Sequence, residues 1–277
     1  DVFFASDWTQ PPAEKAKLVT AVHDLVPWRY PQTLPEKIIS AHKNRMRWVK
    51  KEADLVFSSS QSTARDLEKI IGLNKEKIKV VYPGVNHHLF YPQSEEKVKA
   101  VKKKYGLNDY FLAVGTREPR KNLPRLIEAF DGLENKRGWQ LAIAGKTGWG
   151  DQSLKSATKN LKLLGYVPDE DLPPLYAGAL CFVYPSLYEG FGLPILEAMA
   201  SGAPVITSNV SSLPEAAGEA GILVNPEKSE EIRKAMEKVA NNLKLREEMI
   251  KKGFQQAQKF SWGKTAREVL ESLEALP

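Results

Sequence analysis

The 277-residue chain is predicted to be an α/β protein. Three observations carry that expectation: short apolar or β-branched runs alternate with longer helical patterns, most of these runs end in a turn or a helix start, and no internal repeat or low-complexity tract interrupts the alternation. A chain of this length is too long for one comfortable core, so two modest lobes are expected. The candidate buried strands are residues 17–22, 54–58, 78–82, 110–114, 140–144, 161–164, 180–184 and 204–207. Ser60 and Ser62 are candidate caps for a helix beginning near Thr63, and Gly72 is its expected stop, because glycine accepts the left-handed conformation at a helix end. A boundary is expected after the Pro83-Gly84 turn, with a polar, lysine-rich stretch carrying the chain to Tyr110. Three segments follow: a first domain over residues 1–92, a second over 93–256, and a C-terminal amphipathic helix within 257–277 expected to pack back on the first. The first lobe begins directly on Val2-Phe3-Phe4-Ala5 and supplies about three strands before the linker, against roughly five or six in a doubly wound sheet. The expectation is therefore a first domain lacking its upstream part.

Composition narrows the function classes. Hydrophobic residues make up 42% and charged residues 27%, which suits an ordinary globular protein and excludes disordered or fibrous classes. No apolar run approaches the roughly 20 residues that cross a bilayer, and no signal peptide is evident, so a cytoplasmic location is expected. The single cysteine, Cys181, cannot form an internal disulfide and lies in an apolar run, where burial is the expected role. The excess charge of +6 falls entirely within residues 1–109. There, Lys37, Lys43, Arg45, Arg47, Lys50 and Lys51 surround Ile38, Met46 and Val49 at helical spacing. Such a basic face suits peripheral contact with an anionic membrane at its inner surface or with an acidic acceptor; a solvated helix face is the alternative. Nucleic acid is not an expected partner, since no aromatic stacking positions interleave the basic residues. No histidine or cysteine cluster has metal-ligand spacing, and no metal or cofactor is expected.

The most informative stretch runs from Tyr184 to Gly202 and reads as strand, glycine loop and helix. Pro194 fits a first helical turn, Gly190 and Gly192 allow close backbone approach to a ligand, and a helix N-terminus offers free N–H groups to a phosphate. Glu189 enters the loop from one side, and Glu197 lies about a turn into the helix. Two carboxylates repel a bare anion, so the arrangement suits a ligand that also carries neutral hydroxyls, as a nucleotide sugar does.

Glu189 and Glu197, with seven residues between them, resemble the paired-glutamate signature of retaining GT-B glycosyltransferases, specifically glycosyltransferase family 4. The resemblance extends through residues 203–209 and Leu213-Pro214-Glu215, and covers nearly the whole chain. It implies the GT-B fold: two Rossmann-like doubly wound domains, acceptor-side first and nucleotide-sugar-binding second, with a cleft between them. It further implies that Glu197 binds the ribose hydroxyls, that Glu189 contacts the transferred sugar, and that Gly190, Phe191, Gly192 and Leu193 offer backbone amides to the donor. In the basic turn of residues 114–123, Gly115 and Thr116 border the donor, while Arg120 and Lys121 can neutralise the diphosphate as the sugar leaves. Family members often have arginine directly after this glycine and glycine after the lysine. Thr116 and Asn122 stand there instead, which leaves Arg117 without an assigned role. His23 ends a predicted strand and resembles the family's histidine near the donor sugar, a structural histidine being the plainer alternative. Tyr166 and Val167 are expected to border the nucleobase.

Two other stretches are set aside. Asp169-Glu170-Asp171 has a metal-motif spacing but precedes a helical segment and is read as a cap. The loop of residues 145–150 fits neither a dinucleotide fingerprint nor a P-loop and is expected to line the cleft. The implied activity is metal-independent transfer of a hexose, mannose preferred, from a GDP- or UDP-sugar to a glycan or lipid-linked acceptor. A donor-binding module without efficient turnover, or a GT-B epimerase or phosphorylase, are the alternatives.

Overall fold

The computed structural model describes residues 1–5, 15–134, 138–148, 154 and 159–276. Trp149 and Gly150 of the glycine loop noted above lie outside them. The chain forms two compact units, one of residues 1–84, 188–191 and 260–277, the other of residues 85–187 and 192–259.

Unit 1 is built on a parallel sheet in the order β1 (Val2–Ala5), β2 (Lys17–Val22), β3 (Leu55–Ser58) and β4 (Ile78–Val80). Side chains alternate across a strand, and the core divides accordingly. Val22 and Val56 join Leu25, Met46, Val49 and Leu67 on one face; Val19, Leu55 and Phe57 join Val81, Val269 and Leu273 on the other. Helix Glu36–Glu52 thus covers one face and helix Trp262–Glu274 the other. The second docks through Thr265, whose hydroxyl donates to the Tyr82 carbonyl at 2.7 Å. Gly84 permits that docking, since a Cβ there would lie 2.1 Å from the Trp262 nitrogen.

The first basic helix departs from expectation in two respects. Arg45 is buried rather than part of a solvated face, and its guanidinium donates to the Thr20 hydroxyl at 2.9 Å and the Ala21 carbonyl at 2.6 Å. Ile39 rather than Ile38 is the fully buried isoleucine. Ser60 caps the next helix, accepting from the Thr63 amide, whereas Ser62 lies inside it; Gly72 ends it at φ 70°.

Unit 2 holds a six-stranded parallel sheet in the order β10-β9-β8-β5-β6-β7. Its strands are β5 (Tyr110–Val114), β6 (Gln140–Ala144), β7 (Leu161–Gly165), β8 (Cys181–Tyr184), β9 (Val205–Ser208) and β10 (Gly221–Val224). The chain starts in the middle at β5, winds outward to β7, then returns to β8 and winds outward the other way. The reversal between β5 and β8 is the switch point at which ligands bind in open α/β sheets. Phe111, Ala113, Ile143, Cys181 and Val183 face helices Leu123–Asp131 and Ser229–Ala240. Tyr110 faces the opposite side, its hydroxyl donating to the Leu175 carbonyl at 2.6 Å.

Two expectations need correction. The lysine-rich stretch before Tyr110 is not a plain linker: residues Glu95–Tyr105 form a helix capped by Ser94 and stopped by Gly106 at φ 63°. Asp171 makes no side-chain cap, because its carboxylate accepts from the Lys104 ammonium and the Tyr105 hydroxyl, each at 2.6 Å.

Replacing Gly84 with alanine is expected to cost about 2 kcal/mol or more, since two backbones would have to separate. Gly106→Ala, with nothing within 4 Å of its Cβ, is expected to cost about 1 kcal/mol from its left-handed backbone alone. Urea unfolding of both variants checks the order, which fails if Gly84→Ala is the milder change.

Candidate active site

In unit 2 the switch point brings together the ends of β5 and β8. β5 runs into Gly115 at φ 142°, then a single helical turn, Pro119–Lys121, and Asn122. β8 runs into Pro185 and Leu187, and the Leu187 amide donates to the Arg120 carbonyl at 2.9 Å. Asn122 ties the two loops. It is buried in the left-handed region at φ 59°, and its side-chain amide donates to the Pro185 carbonyl at 3.0 Å and the Pro226 carbonyl at 2.7 Å. Asparagine tolerates that backbone better than most residues, so it serves where glycine would otherwise stand and adds two hydrogen bonds.

The two cations of this turn are held in different ways. Lys121 donates from Nζ to the Tyr184 hydroxyl at 2.6 Å and lies 4.9 Å from the centre of that ring. Arg120 pairs with Glu118 at 3.2 Å, both side chains mostly buried. Arg117, unassigned above, donates to the Thr147 hydroxyl. Thr116 is exposed beside them.

Helix Leu193–Ser201 begins after Gly192, which lies at φ 107° with no side chain capping the N-terminus, has Pro194 in its first turn and stops at Gly202. Such an end presents unsatisfied N–H groups and the positive pole of the helix. Glu197 is the fifth residue of this helix, largely buried, and accepts a hydrogen bond from the Tyr176 hydroxyl at 3.3 Å. Burial pushes its carboxyl up to about 7; the Tyr176 hydrogen bond opposes the rise and the charge of Asp169 adds to it. At the outer side of the same sheet edge, Tyr166 follows β7 with its ring exposed, and the Lys146 ammonium lies 4.6 Å above that ring. Val167 beside it is buried.

His23, Glu189, Gly190 and Phe191 belong to unit 1. The sequence reads residues 184–202 as one strand, loop and helix of the second domain; in the structure four residues of the loop, Tyr188 to Phe191, pack within unit 1 instead. A Cβ at Gly190 would lie 2.0 Å from the His23 carbonyl oxygen, so only glycine allows this approach. The Ser59 hydroxyl lies 2.5 Å from the His23 carbonyl and 3.1 Å from that of Gly190; the Thr63 hydroxyl lies 3.4 and 3.2 Å from the same pair. Each hydroxyl carries one proton, so together they satisfy both carbonyls. The Phe191 ring packs 5.5 Å from both Tyr82 and Phe260. Glu189 is buried, while His23 is exposed at the end of β2.

Sequence reading names these candidate residues but misses the side chains that hold them. Tyr184 and Tyr176 sit under Lys121 and Glu197, and Ser59 and Thr63 sit under the loop of Glu189. No local pattern marks them; only β8 ending in a tyrosine gave a signal.

Two parallel, helix-flanked units with a glycine-led helix at the switch point define a protein of GT-B architecture. The description of Glycosyl transferases group 1 matches residues 94–256, and that of Glycosyltransferase Family 4 matches residues 1–89. The chain belongs to this family and is a glycosyltransferase. The O-antigen chain mannosyltransferase B of Escherichia coli is 34% identical over 96% of this chain, which spans 72% of that protein. The serotype-specific mannosyltransferase WbdA of Escherichia coli is 31% identical over 94% of this chain, which spans 34% of it. The crystal structure of Anabaena HepE with UDP and glucose shares the fold, with a TM-score of 0.82 at 20% identity over 95% of this chain and 72% of that one.

The Glu197 shift gives a stability prediction with a definite sign. The folded state holds this proton more tightly than the unfolded chain, so the contribution of Glu197 to stability falls as pH rises from about 4.5 through about 7. The stability difference between wild type and Glu197→Gln should therefore shift against wild type by about 3 kcal/mol across that window. Urea unfolding of both proteins from pH 4.5 to 8 measures it, and a pH-independent difference would refute the assignment.

Proposed function

We propose that this glycosyltransferase moves a hexose, preferentially mannose, from a nucleoside-diphosphate sugar to a hydroxyl of a glycan or lipid-linked acceptor, with retention of anomeric configuration. The observation that carries the reading is the composition of the sheet edge in unit 2. Arg120 and Lys121, an uncapped glycine-led helix N-terminus and a partly protonated Glu197 meet the separate demands of a diphosphate and of sugar hydroxyls. The mannosyltransferase names of the relatives support mannose, and the UDP of the HepE crystal structure supports a nucleotide donor.

In this reading the diphosphate is the leaving group. Its growing charge is met by Arg120, Lys121 and the amides of Gly192 and Leu193, so no metal ion is needed. Glu197 accepts hydrogen bonds from the ribose, and Tyr166 and Val167 border the base. By family resemblance Glu189 contacts the transferred sugar, with the amides of Gly190 and Phe191 beside it, and His23 lies near that sugar. Residues 93–256 are the donor domain, with residues 1–92 and the helix within 257–277 on the acceptor side. The exposed basic residues of helix Glu36–Glu52, namely Lys37, Lys43, Arg47, Lys50 and Lys51, favour peripheral contact with an anionic membrane on its cytoplasmic face.

Calorimetric titration with GDP, UDP, ADP and GDP-mannose tests the reading. Binding of one nucleotide in preference to the others is expected, weakened tenfold or more in Lys121→Ala and in Glu197→Ala. Absence of binding by the wild-type chain would overturn it, and binding without transfer to any acceptor would identify a donor-binding module.

A further inference from the structure

Unit 1 contains a buried polar network that none of the roles above uses. Asp66 is 4% exposed, yet its carboxylate is fully engaged. One oxygen accepts from the Tyr188 hydroxyl at 2.8 Å and from Arg29 Nε at 3.3 Å; the other pairs closely with a terminal nitrogen of Arg29, which reaches in from solvent. The Tyr188 hydroxyl in turn accepts from the Leu25 amide at 3.3 Å, and the Tyr30 ring lies 6.0 Å from that of Tyr188. Tyr188 is itself buried, and burial followed by the charge of Asp66 pushes its phenol far above the usual range, so it remains a donor throughout the working pH range.

A buried carboxylate is expensive to desolvate, and apolar packing alone would fill this space at lower cost. What the network adds is a directed bond on Tyr188, the residue immediately before Glu189. The residue immediately after, Gly190, is fixed by its carbonyl, which shares the Ser59 and Thr63 hydroxyls with the His23 carbonyl, and by its close approach to that carbonyl. Glu189 is therefore anchored on both sides along the chain, by a side chain before it and by a backbone carbonyl after it.

We propose that Asp66, Arg29 and Tyr188 form a positioning device that fixes the backbone of Glu189. Asp66 orients the Tyr188 hydroxyl, Arg29 pairs with the buried Asp66 carboxylate and holds it in place, and Tyr188 sets the direction in which Glu189 leaves the chain. The network belongs to unit 1, whereas Arg120, Lys121 and Glu197 belong to unit 2, so it governs the use of Glu189 rather than nucleotide affinity. The kinetic part of this inference rests on the role assigned to Glu189 above; the anchoring part does not.

Two measurements on the full chain separate them. Hydrogen exchange of the Glu189 to Phe191 amides should quicken about tenfold or more in Tyr188→Phe and in Asp66→Asn, as loss of a hydrogen bond to a charged group implies. Amides of β2 and β3 should hardly change. Unchanged exchange in the loop overturns the anchor whether or not the protein turns over. In a transfer assay, Tyr188→Phe should lower kcat about tenfold or more while the nucleotide Kd stays within about twofold. The same substitution in a Glu189→Ala background should add no further loss, because the effect passes through Glu189. An equal loss in that background, or a matching loss of nucleotide affinity, would assign Tyr188 a general structural role and overturn the proposal. Faster loop exchange in the two variants, with a wild type that shows neither nucleotide binding nor transfer, would sustain the anchor and overturn the functional reading alone.

Discussion

Parallel strands cannot be joined by hairpins, so every connection in unit 2 must cross a face of the sheet, and nearly all such crossovers share one hand. A chain that starts in the middle and winds outward twice must therefore leave two neighbouring strand ends whose connections depart to opposite faces. In this protein those ends belong to β5 and β8. The cationic turn of residues 119–121 and the loop after Tyr184 share a sheet edge for that reason, and the bonds that join them, Leu187 to Arg120 and Asn122 to Pro185, follow from it. The chemistry of unit 2 is a consequence of strand order before it is a consequence of any one side chain.

Strand order brings groups together without fixing their direction, and that second task falls to tyrosines. Tyr184 holds the Lys121 ammonium in a chosen direction, and Tyr176 donates to Glu197. In unit 1 Tyr188 takes the same part against Asp66. Each phenol has a stiff, apolar body that packs in the core and a single hydroxyl that reaches a charged group. It therefore satisfies a buried polar partner without adding a second charge to be desolvated.

Much of this was legible in the sequence wherever the cause was local. Gly192 and Gly202 bracket their helix because both positions need positive φ, and Pro194 fits the first turn because its missing N–H costs nothing there. Six strands of the second sheet include five that the apolar runs foretell; β10 escaped because it is a short, half-exposed edge strand. Residues 95–105 looked like a linker because their helix buries only Val101 fully and is otherwise polar. Arg45 was grouped with its basic neighbours because helical spacing alone does not show that the Thr20 hydroxyl and Ala21 carbonyl await it. The packing of residues 188–191 in unit 1 had no sequence signal at all, since it depends on Ser59, Thr63 and Asp66, more than 120 residues away.

The pairing of Glu189 with Glu197 gains a physical meaning from this division of labour. Seven residues separate them in sequence, yet the first is anchored by the side chains of unit 1 and the second is set in a helix of unit 2. Their environments differ accordingly. Burial pushes the Glu197 carboxyl up to about 7, and a hydrogen bond donated to it, as from Tyr176, favours the charged form. Glu189 is flanked by two bonded neighbours along the chain, Tyr188 and Gly190. The same residue type thus serves two different ends, one tuned through its own pKa and the other through the backbone that carries it.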